Sequence, residues 1–293
     1  MPAPDAPLNH PSKDKEIIRL PLAFPIHPYL KDHHFEGKII LPAVEILQRM
    51  AASLRFFRSD APVHSMRSLS LDRFLYIEKE QRVIKAIHEL EFHEGGRISS
   101  RFITEGLIKD AGITRTKVHA AVDFCADEKH IQLPSTEALT ALDGVGFIIP
   151  AQKLYADLVP FGPSYQSLRG DVFISECGGS AHVRGSECPA PSAPLGSTFP
   201  LDGAFHVACA WGQRFHHIVA FPVGFEERVI IHPTAPGETC RCRISPISAN
   251  QETLIFDIWI HNLAGELREY VKGLVMKDIF RRRVAPVAWV LCR

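Results

Sequence analysis

The sequence predicts an α+β fold made of two copies of one unit, in which an antiparallel sheet wraps a single long helix. Two apolar segments with helical periodicity, Pro42 to Phe57 and Leu201 to Phe215, lie in different halves of the chain. Each is followed by four stretches with the composition of β-strands. Because the order of elements repeats while residue identity between the halves is low, the repeat is one of architecture.

The first unit begins with the helix at Pro42. Its apolar residues recur at the three- and four-residue spacing of one helix face: Val44, Leu47, Met50, Ala51 and Leu54. A proline suits the first helical position, because its missing N–H is not needed there. The β-like stretches that follow are Val63–Glu78, Arg82–His93, Gly96–Ile108 and Thr114–Cys125. Glu94–Gly96 has the composition of a hairpin turn.

The second unit repeats this plan after a less ordered connection at about 126–150. Its helix is introduced by Phe199 and Pro200. Before it, Gly178-Gly179 predicts a turn and Pro189–Pro194 a surface loop. After it come the β-like stretches Ile218–Ile231, Glu238–Ser245, Thr253–His261 and Leu267–Phe280.

These elements divide the chain into three parts. Residues 1–15 are rich in proline and polar residues, which predicts a flexible N-terminal segment. Residues 16–150 form the N-terminal unit with its linker, and residues 151–293 form the C-terminal unit. Burial of both helices would give a shared core.

The composition restricts the class of protein. Of the 293 residues, 46% are hydrophobic and 23% charged, with 33 basic and 33 acidic side chains. A net charge of zero gives no electrostatic reason to expect nucleic-acid binding. No apolar run reaches the roughly 18 residues of a membrane span, and the N-terminus lacks the regions of a signal peptide. The seven scattered cysteines predict reduced thiols in a cytoplasmic protein.

The pattern H-x-x-x-G-x-x-x-x-P is formed by His33, Gly37 and Pro42. It places an imidazole and a flexible glycine just ahead of the first helix. Free N–H groups at a helix start can hold a carbonyl oxygen. A base next to such a group is suited to removing a proton beside a thioester carbonyl.

Asp202 and His206 lie four residues apart at the start of the second helix, so their side chains share one helix face. An aspartate in the first turn also interacts favourably with the helix dipole, and a capping role alone would explain it equally well. If the halves pack face to face, however, His33 and Asp202 would supply a base and an acid to one pocket.

A third pattern contains Gly162, Pro163, Tyr165 and Gln166. Gly-Pro forces a turn, and the two residues after Ser164 add an aromatic ring and an amide. Taken alone, this pattern is typical of a loop that enters a strand.

Histidines also cluster, at His27, His33 and His34 and at His216 and His217. Neither cluster has the spacing of a familiar zinc site, so no metal is predicted. The basic run Arg281-Arg282-Arg283 fits a solvated tail, or alternatively a docking point for an acidic partner.

Together the three motifs resemble those of the dehydratase domains of polyketide synthases and related iterative fatty-acid synthases, from about residue 16 to 280. His33, Gly37 and Pro42 match the family's histidine motif, Asp202 and His206 its D-x-x-x-Q or D-x-x-x-H motif. Its G-P-x-[F/Y]-Q motif is matched by Gly162, Pro163, Tyr165 and Gln166. The resemblance implies a double hot-dog fold, that is, two helix-wrapping sheets in one chain.

The implied activity is removal of water from a 3-hydroxyacyl thioester to give a 2-enoyl thioester. His33 would take the proton α to the carbonyl, and Asp202, as the protonated acid that an apolar pocket favours, would protonate the leaving hydroxyl. The Gly37 amide would polarise the carbonyl at the start of the first helix. The remaining substrate-binding residues would be Pro42, Gly162, Pro163, Tyr165, Gln166 and His206, with His206 and Gln166 orienting Asp202 and the substrate.

No cofactor is expected beyond the phosphopantetheine of an acyl carrier protein that holds the substrate. The expected partners are that carrier and other synthase domains or subunits. A monomer and a homodimer both remain open, as do a free-standing enzyme and a piece of a larger synthase.

Two positions depart from the family pattern. Phe161 stands where a tyrosine often precedes Gly-Pro, so its hydroxyl is missing or is supplied elsewhere, for example by Tyr155 or Tyr165. His206 stands where glutamine is commoner. A thioester isomerase and a cyclase are alternatives, because they place similar residues around similar thioesters on the same fold. A non-catalytic acyl-binding or scaffold module is another, for which Phe161 leaves room, and a thioesterase is a weaker one.

Overall fold

A computed structural model of the chain describes residues 16–108, 113–126, 142, 144–186 and 193–292. The predicted N-terminal segment 1–15, most of the connection 126–150, and residues 189–192 of the predicted surface loop lie outside the described residues.

The two long helices are close to their predicted positions. Helix α1 spans Ala43–Phe57 and α3 spans Phe199–His216, while the short helices α2 and α4 span Ala151–Asp157 and Ala288–Leu291. Pro42 is not the first helical residue. It precedes the helix with extended dihedral angles (φ −60°, ψ 144°), and its carbonyl accepts the first helical hydrogen bonds from the amides of Glu45 and Ile46.

Fifteen strands lie among the described residues. In the N-terminal half they are β1 (Ile17–Pro25), β2 (His34–Phe35), β3 (Lys38–Ile40), β4 (Ser65–Ser70), β5 (Tyr76–Ile77), β6 (Val83–Phe92), β7 (Ile98–Ile108) and β8 (Ile113–Phe124). In the C-terminal half they are β9 (Phe147–Pro150), β10 (Leu168–Ser175), β11 (Gly178–Arg184), β12 (Phe221–Ile230), β13 (Thr239–Ala249), β14 (Thr253–Asn262) and β15 (Leu267–Lys277).

Twelve of these strands form one antiparallel sheet in the order β1-β6-β7-β8-β4-β12-β15-β14-β13-β11-β10-β9. The strands of each half are contiguous in this order, and the halves meet where β4 pairs with β12. The strands β2, β3 and β5 form a separate small sheet. The predicted α+β arrangement with one long helix in each half is therefore observed.

Three local features differ from the sequence prediction. The stretch 63–78 is interrupted: β4 and β5 belong to different sheets, and residues 71–75 connect them. The predicted turn at Gly178-Gly179 is wrong, because both glycines begin β11 and the turn is formed by Glu176 and Cys177. Strand β9, just before the predicted boundary at 150, pairs with β10 of the C-terminal half.

The core lies between the sheet and the two long helices. In β14, every second residue from Leu254 to Ile260 is fully buried, as expected for a strand with one face against a helix. Leu47, Met50 and Leu54 on α1 are buried in the same way and belong to the same continuous apolar cluster.

His88, in β6, is a polar residue inside this core. It is fully buried and bonded to the hydroxyl of Ser100 at 3.0 Å, and burial lowers its pKa to about 3. An unfolded histidine titrates near 6.5. Between these pH values the unfolded chain binds a proton that the folded chain does not, so protonation favours the unfolded chain. The free energy of unfolding is therefore not reduced by His88 above pH 6.5, and it decreases as the pH falls below that value.

We therefore expect acid-sensitive folding that depends on His88. From about pH 7 to pH 5, this residue should lower the free energy of unfolding by about 2 kcal/mol. The double variant His88→Leu/Ser100→Ala removes both hydrogen-bond partners and should lose correspondingly less stability over this range. Urea unfolding of both proteins at the two pH values tests this, and equal losses would contradict it.

Candidate active site

His33 is held by a tight hairpin. Strands β2 and β3 pair through a two-residue turn, Glu36-Gly37, in which both residues have positive φ (47° and 74°). This is the geometry of a type I′ turn, which matches the twist of the flanking strands and favours glycine at its second position. The hairpin brings His33 opposite Ile40, whose amide donates to the His33 carbonyl at 3.0 Å.

Gly37 therefore does not lie where the sequence prediction put it. It is exposed in the hairpin turn, and β3 separates it from the start of α1. Its positive φ explains the need for glycine, since other residues are strained there. In this structure its backbone forms the turn between β2 and β3, the hairpin that follows His33.

The ring of His33 has a defined protonation pattern. Its Nδ1 lies 2.8 Å from the carbonyl oxygen of Ile40. A carbonyl can only accept, so Nδ1 carries the proton and the lone pair of the neutral ring is on Nε2. Burial lowers the pKa of His33, while the charge of Asp202 and the Ile40 carbonyl act in the opposite direction. The net effect favours the neutral ring.

Asp202 and His206 lie on α3, in its first two turns, and both are buried. Oδ2 of Asp202 is 3.0 Å from Nε2 of His206. On its other side, His206 Nδ1 is 3.1 Å from the hydroxyl of Tyr155, which already accepts the Leu168 amide at 2.9 Å. His206 therefore lies between the Tyr155 hydroxyl and the Asp202 carboxyl group, and its Nε2, although 3.0 Å from Oδ2, is not aligned with it for a hydrogen bond.

Phe161 packs between the two histidines. Its ring centroid is 4.3 Å from that of His33 and 5.1 Å from that of His206. The Phe161 ring therefore occupies apolar space between the side chains that each half contributes. This is the position at which the resemblance suggested a tyrosine, and the nearby Tyr155 hydroxyl is committed to His206 and Leu168.

The Gly-Pro turn after Phe161 docks on the segment before His33. The Gly162 amide donates to the Asp32 carbonyl at 2.8 Å, and the Ser164 amide donates to the Asp32 carboxylate at 2.9 Å. A Cβ atom on Gly162 would lie 2.6 Å from Cγ of Asp32, so the approach requires glycine. This contact fixes Phe161 against His33.

His33, Phe161, Asp202 and His206 all line one cavity of about 90 Å³. Most of the other lining residues are apolar; those from the C-terminal half include Leu158, Val159, Phe205, Cys209, Ala220 and Met276. The halves of the chain thus bring an imidazole and a carboxyl group to one apolar space, as the sequence hypothesis required.

The other predicted substrate-binding residues are not among the lining residues of this cavity. Pro42 is buried between two residues that do line it, Leu41 and Ala43. Pro163 is exposed, and Gln166 donates to the Phe161 carbonyl at 2.9 Å, so that its amide closes the turn. Tyr165 is fully buried and packs edge-to-face with the imidazole of His33, with 5.1 Å between the ring centroids.

Sequence reasoning missed two polar residues that line the cavity, Arg73 and His119. His119 donates from Nδ1 to the Arg73 carbonyl at 3.1 Å and contacts the Thr104 hydroxyl at 2.8 Å through Nε2. It holds the connector 71–75 as one wall of the cavity. No sequence signal marked it, because Arg73 lies in a connector that was predicted as strand and Thr104 lies in the neighbouring strand β7.

Two further properties concern the described residues only. Among them, no three His, Cys, Asp or Glu side chains are arranged to hold a metal ion. Their helices are also too short or too polar to cross a membrane.

Solved structures share this architecture. The dehydratase domain from the CurJ module of curacin polyketide synthase has a TM-score of 0.71 and 14% identity, over 91% of this chain and 93% of its own. The fold is that of polyketide synthase dehydratase domains. The predicted double hot-dog fold is thereby confirmed.

Two other solved structures extend the comparison. The dehydratase domain of a mycocerosic acid synthase-like polyketide synthase has a TM-score of 0.69 at 15% identity, covering 90% of this chain and 94% of that one. A bifunctional dehydratase-cyclase domain from ambruticin biosynthesis has a TM-score of 0.66 at 13% identity, covering 91% and 93%. No protein-family profile and no curated protein matches the sequence.

The close approach at Gly162 gives a testable prediction. Gly162→Ala should lower the free energy of unfolding by about 1–3 kcal/mol, because its methyl group overlaps Asp32. Gly106→Ala is the matched control: nothing lies within 4 Å of a Cβ there and its φ is not positive, so stability should be unchanged or slightly raised. Thermal unfolding measures both, and equal midpoints for the two variants would refute the packing argument.

Proposed function

We propose that the chain is a dehydratase that converts a 3-hydroxyacyl thioester into a 2-enoyl thioester and water. The observation that carries the proposal is the meeting of His33 and Asp202 in one apolar cavity, in a fold shared with dehydratase domains. The substrate would be carried on the phosphopantetheine of an acyl carrier protein, with other synthase domains or subunits as further partners, in the cytoplasm.

His33 acts as the base in this scheme. Its Nε2 lone pair takes the proton from the carbon α to the thioester carbonyl, and the Nδ1 proton stays on the Ile40 carbonyl. The electron pair of the broken C–H bond forms the C–C double bond. Because Gly37 is not among the residues that line the cavity, we assign stabilisation of the carbonyl oxygen to the first amides of α1, where Ala43 lines the cavity.

Asp202 acts as the acid. Its carboxylic proton passes to the β-hydroxyl as the C–O bond breaks, so that the oxygen leaves as water. The His206 ring, whose Nε2 is 3.0 Å from Oδ2, lies next to the carboxylate that forms. Carbon oxidation states sum to the same value before and after, so the proposal needs no redox cofactor.

Substitution of either residue should abolish turnover. His33→Ala and Asp202→Asn should each lower kcat by about 10²–10⁴-fold, the usual contribution of a general acid or base. His182→Ala, on the exposed face of β11, is the control and should keep wild-type kcat. The assay follows loss of water from 3-hydroxyacyl thioesters by mass spectrometry, and wild-type turnover by His33→Ala would exclude this mechanism.

Product analysis separates the alternatives. A shifted double bond would indicate an isomerase, a ring product a cyclase, and a released thiol a thioesterase. Tight binding of an acyl carrier protein without turnover of any 3-hydroxyacyl substrate would indicate a scaffold module.

The pH dependence follows from the environment of His33. Only the neutral ring can accept the proton, and burial lowers its pKa from the ordinary value of about 6.5. The acid-side inflection of kcat/KM should therefore lie below pH 6.5, with activity retained at about pH 6. Rates measured from pH 5 to 8 test this, and an inflection above 6.5 would show that burial does not determine the direction of the shift in the His33 pKa.

A further inference from the structure

Glu45, in the first turn of α1, is a buried carboxylate that the reaction scheme does not use. Its side chain is 4% exposed. It is not among the residues that line the reaction cavity; it borders a second cavity, of about 290 Å³, together with Tyr29 and Thr198. An acidic group is costly to bury without partners, and Glu45 has them on both sides.

One oxygen of Glu45 contacts the segment that carries His33. The hydroxyl of Tyr29 donates to Oε2 at 3.3 Å. Tyr29 belongs to the 3₁₀ turn Pro28–Asp32, and His33 is the residue that ends this turn. Tyr29 and His33 are thus connected through less than one and a half turns of backbone.

The other oxygen contacts the segment that carries Asp202. The hydroxyl of Thr198 donates to Oε1 at 3.0 Å. Thr198 precedes the first residue of α3, and its carbonyl accepts the amide of Asp202 at 3.2 Å. Glu45 therefore contacts the residue whose carbonyl accepts the Asp202 amide.

A neighbouring side chain on the same face of α1 holds the same segment. The Gln48 amide group donates to the Gly196 carbonyl and accepts the Leu195 amide, both at 3.2 Å. Residues 45 and 48 are three apart and so project from one helix face. The chain entering α3 is therefore fixed to α1 at three successive points.

We propose that Glu45 is a positioning residue that sets the separation of His33 and Asp202. The carboxylate, with the Tyr29 and Thr198 hydroxyls, forms a brace between the N-terminal half and the start of α3. The reaction needs both groups to reach one substrate, and a displacement of about 1 Å can cost roughly 10²-fold in rate. The expected effect on kcat rests on the proposed function. The structural role of Glu45 rests on its contacts alone.

Variants with small changes of shape test the brace. Thr198→Val removes one hydroxyl and Glu45→Ala removes both contacts; each should lower kcat by about tenfold or more and change KM less than about threefold. Glu45→Gln keeps one oxygen acceptor, and its amide N–H can donate to the oxygen of the other hydroxyl, so kcat should stay within about threefold of wild type. The double variant Glu45→Ala/Thr198→Val should be no slower than Glu45→Ala, because the same contact is already lost.

Ser100→Ala is the matched control, since it removes a buried hydroxyl that bonds to His88, away from both cavities. It should lower stability and leave kcat unchanged. If Ser100→Ala and the brace variants lose kcat to the same extent for the same loss of stability, the positioning role is refuted.

Hydrogen–deuterium exchange gives a readout that does not depend on activity. Peptides covering residues 196–205 should exchange faster in Glu45→Ala and Thr198→Val than in wild type or Glu45→Gln. Unchanged exchange would overturn the brace whatever the kinetics. Faster exchange in a protein whose wild type dehydrates no 3-hydroxyacyl thioester would instead support the brace and refute the proposed function.

Discussion

The pairing of β4 with β12 is the constraint on which the rest of the structure depends. It joins the two half-sheets edge to edge, and thereby fixes how the two long helices face each other. Arg67 and Glu227 face each other across this pair at 3.1 Å, and Arg228 of β12 forms a buried ion pair with Glu269 of β15 at 2.7 Å. A shift of register by one residue here would turn every side chain of the strand to the opposite face. The arrangement of the side chains that line the cavity therefore depends on the pairing of β4 with β12.

Charged and polar groups are concentrated where the halves meet. Glu45, Asp202 and His206 are each at most 4% exposed, and each lies within 3.0–3.1 Å of a partner. Buried ion pairs and polar networks contribute little net stability, because desolvation offsets their attraction. Their effect here is geometric: an apolar interface would tolerate sliding, whereas paired polar groups lose their contacts when displaced.

The sequence predicted what depends on local patterns. Both long helices follow from apolar periodicity, and His33 and Asp202 stand out because motif spacing is a local property. The turn role of Gly37 could not be predicted, since β2 and β3 have only two and three residues and exist through pairing with each other and with β5. Strand β11 was not predicted because its first two residues are glycines, which are typical of a turn, and Glu45 was not singled out because its partner Thr198 is distant in the chain.

His33 and Asp202 differ in the kind of group that surrounds each of them. The orientation of His33 depends on a main-chain carbonyl, that of Ile40, which is present whatever side chain occupies the position. The neighbours of the Asp202 carboxyl group are side chains, His206 at 3.0 Å and then Tyr155, and each of these can be substituted. Substitutions can therefore change the surroundings of the carboxyl group more readily than the main-chain contact that orients the imidazole.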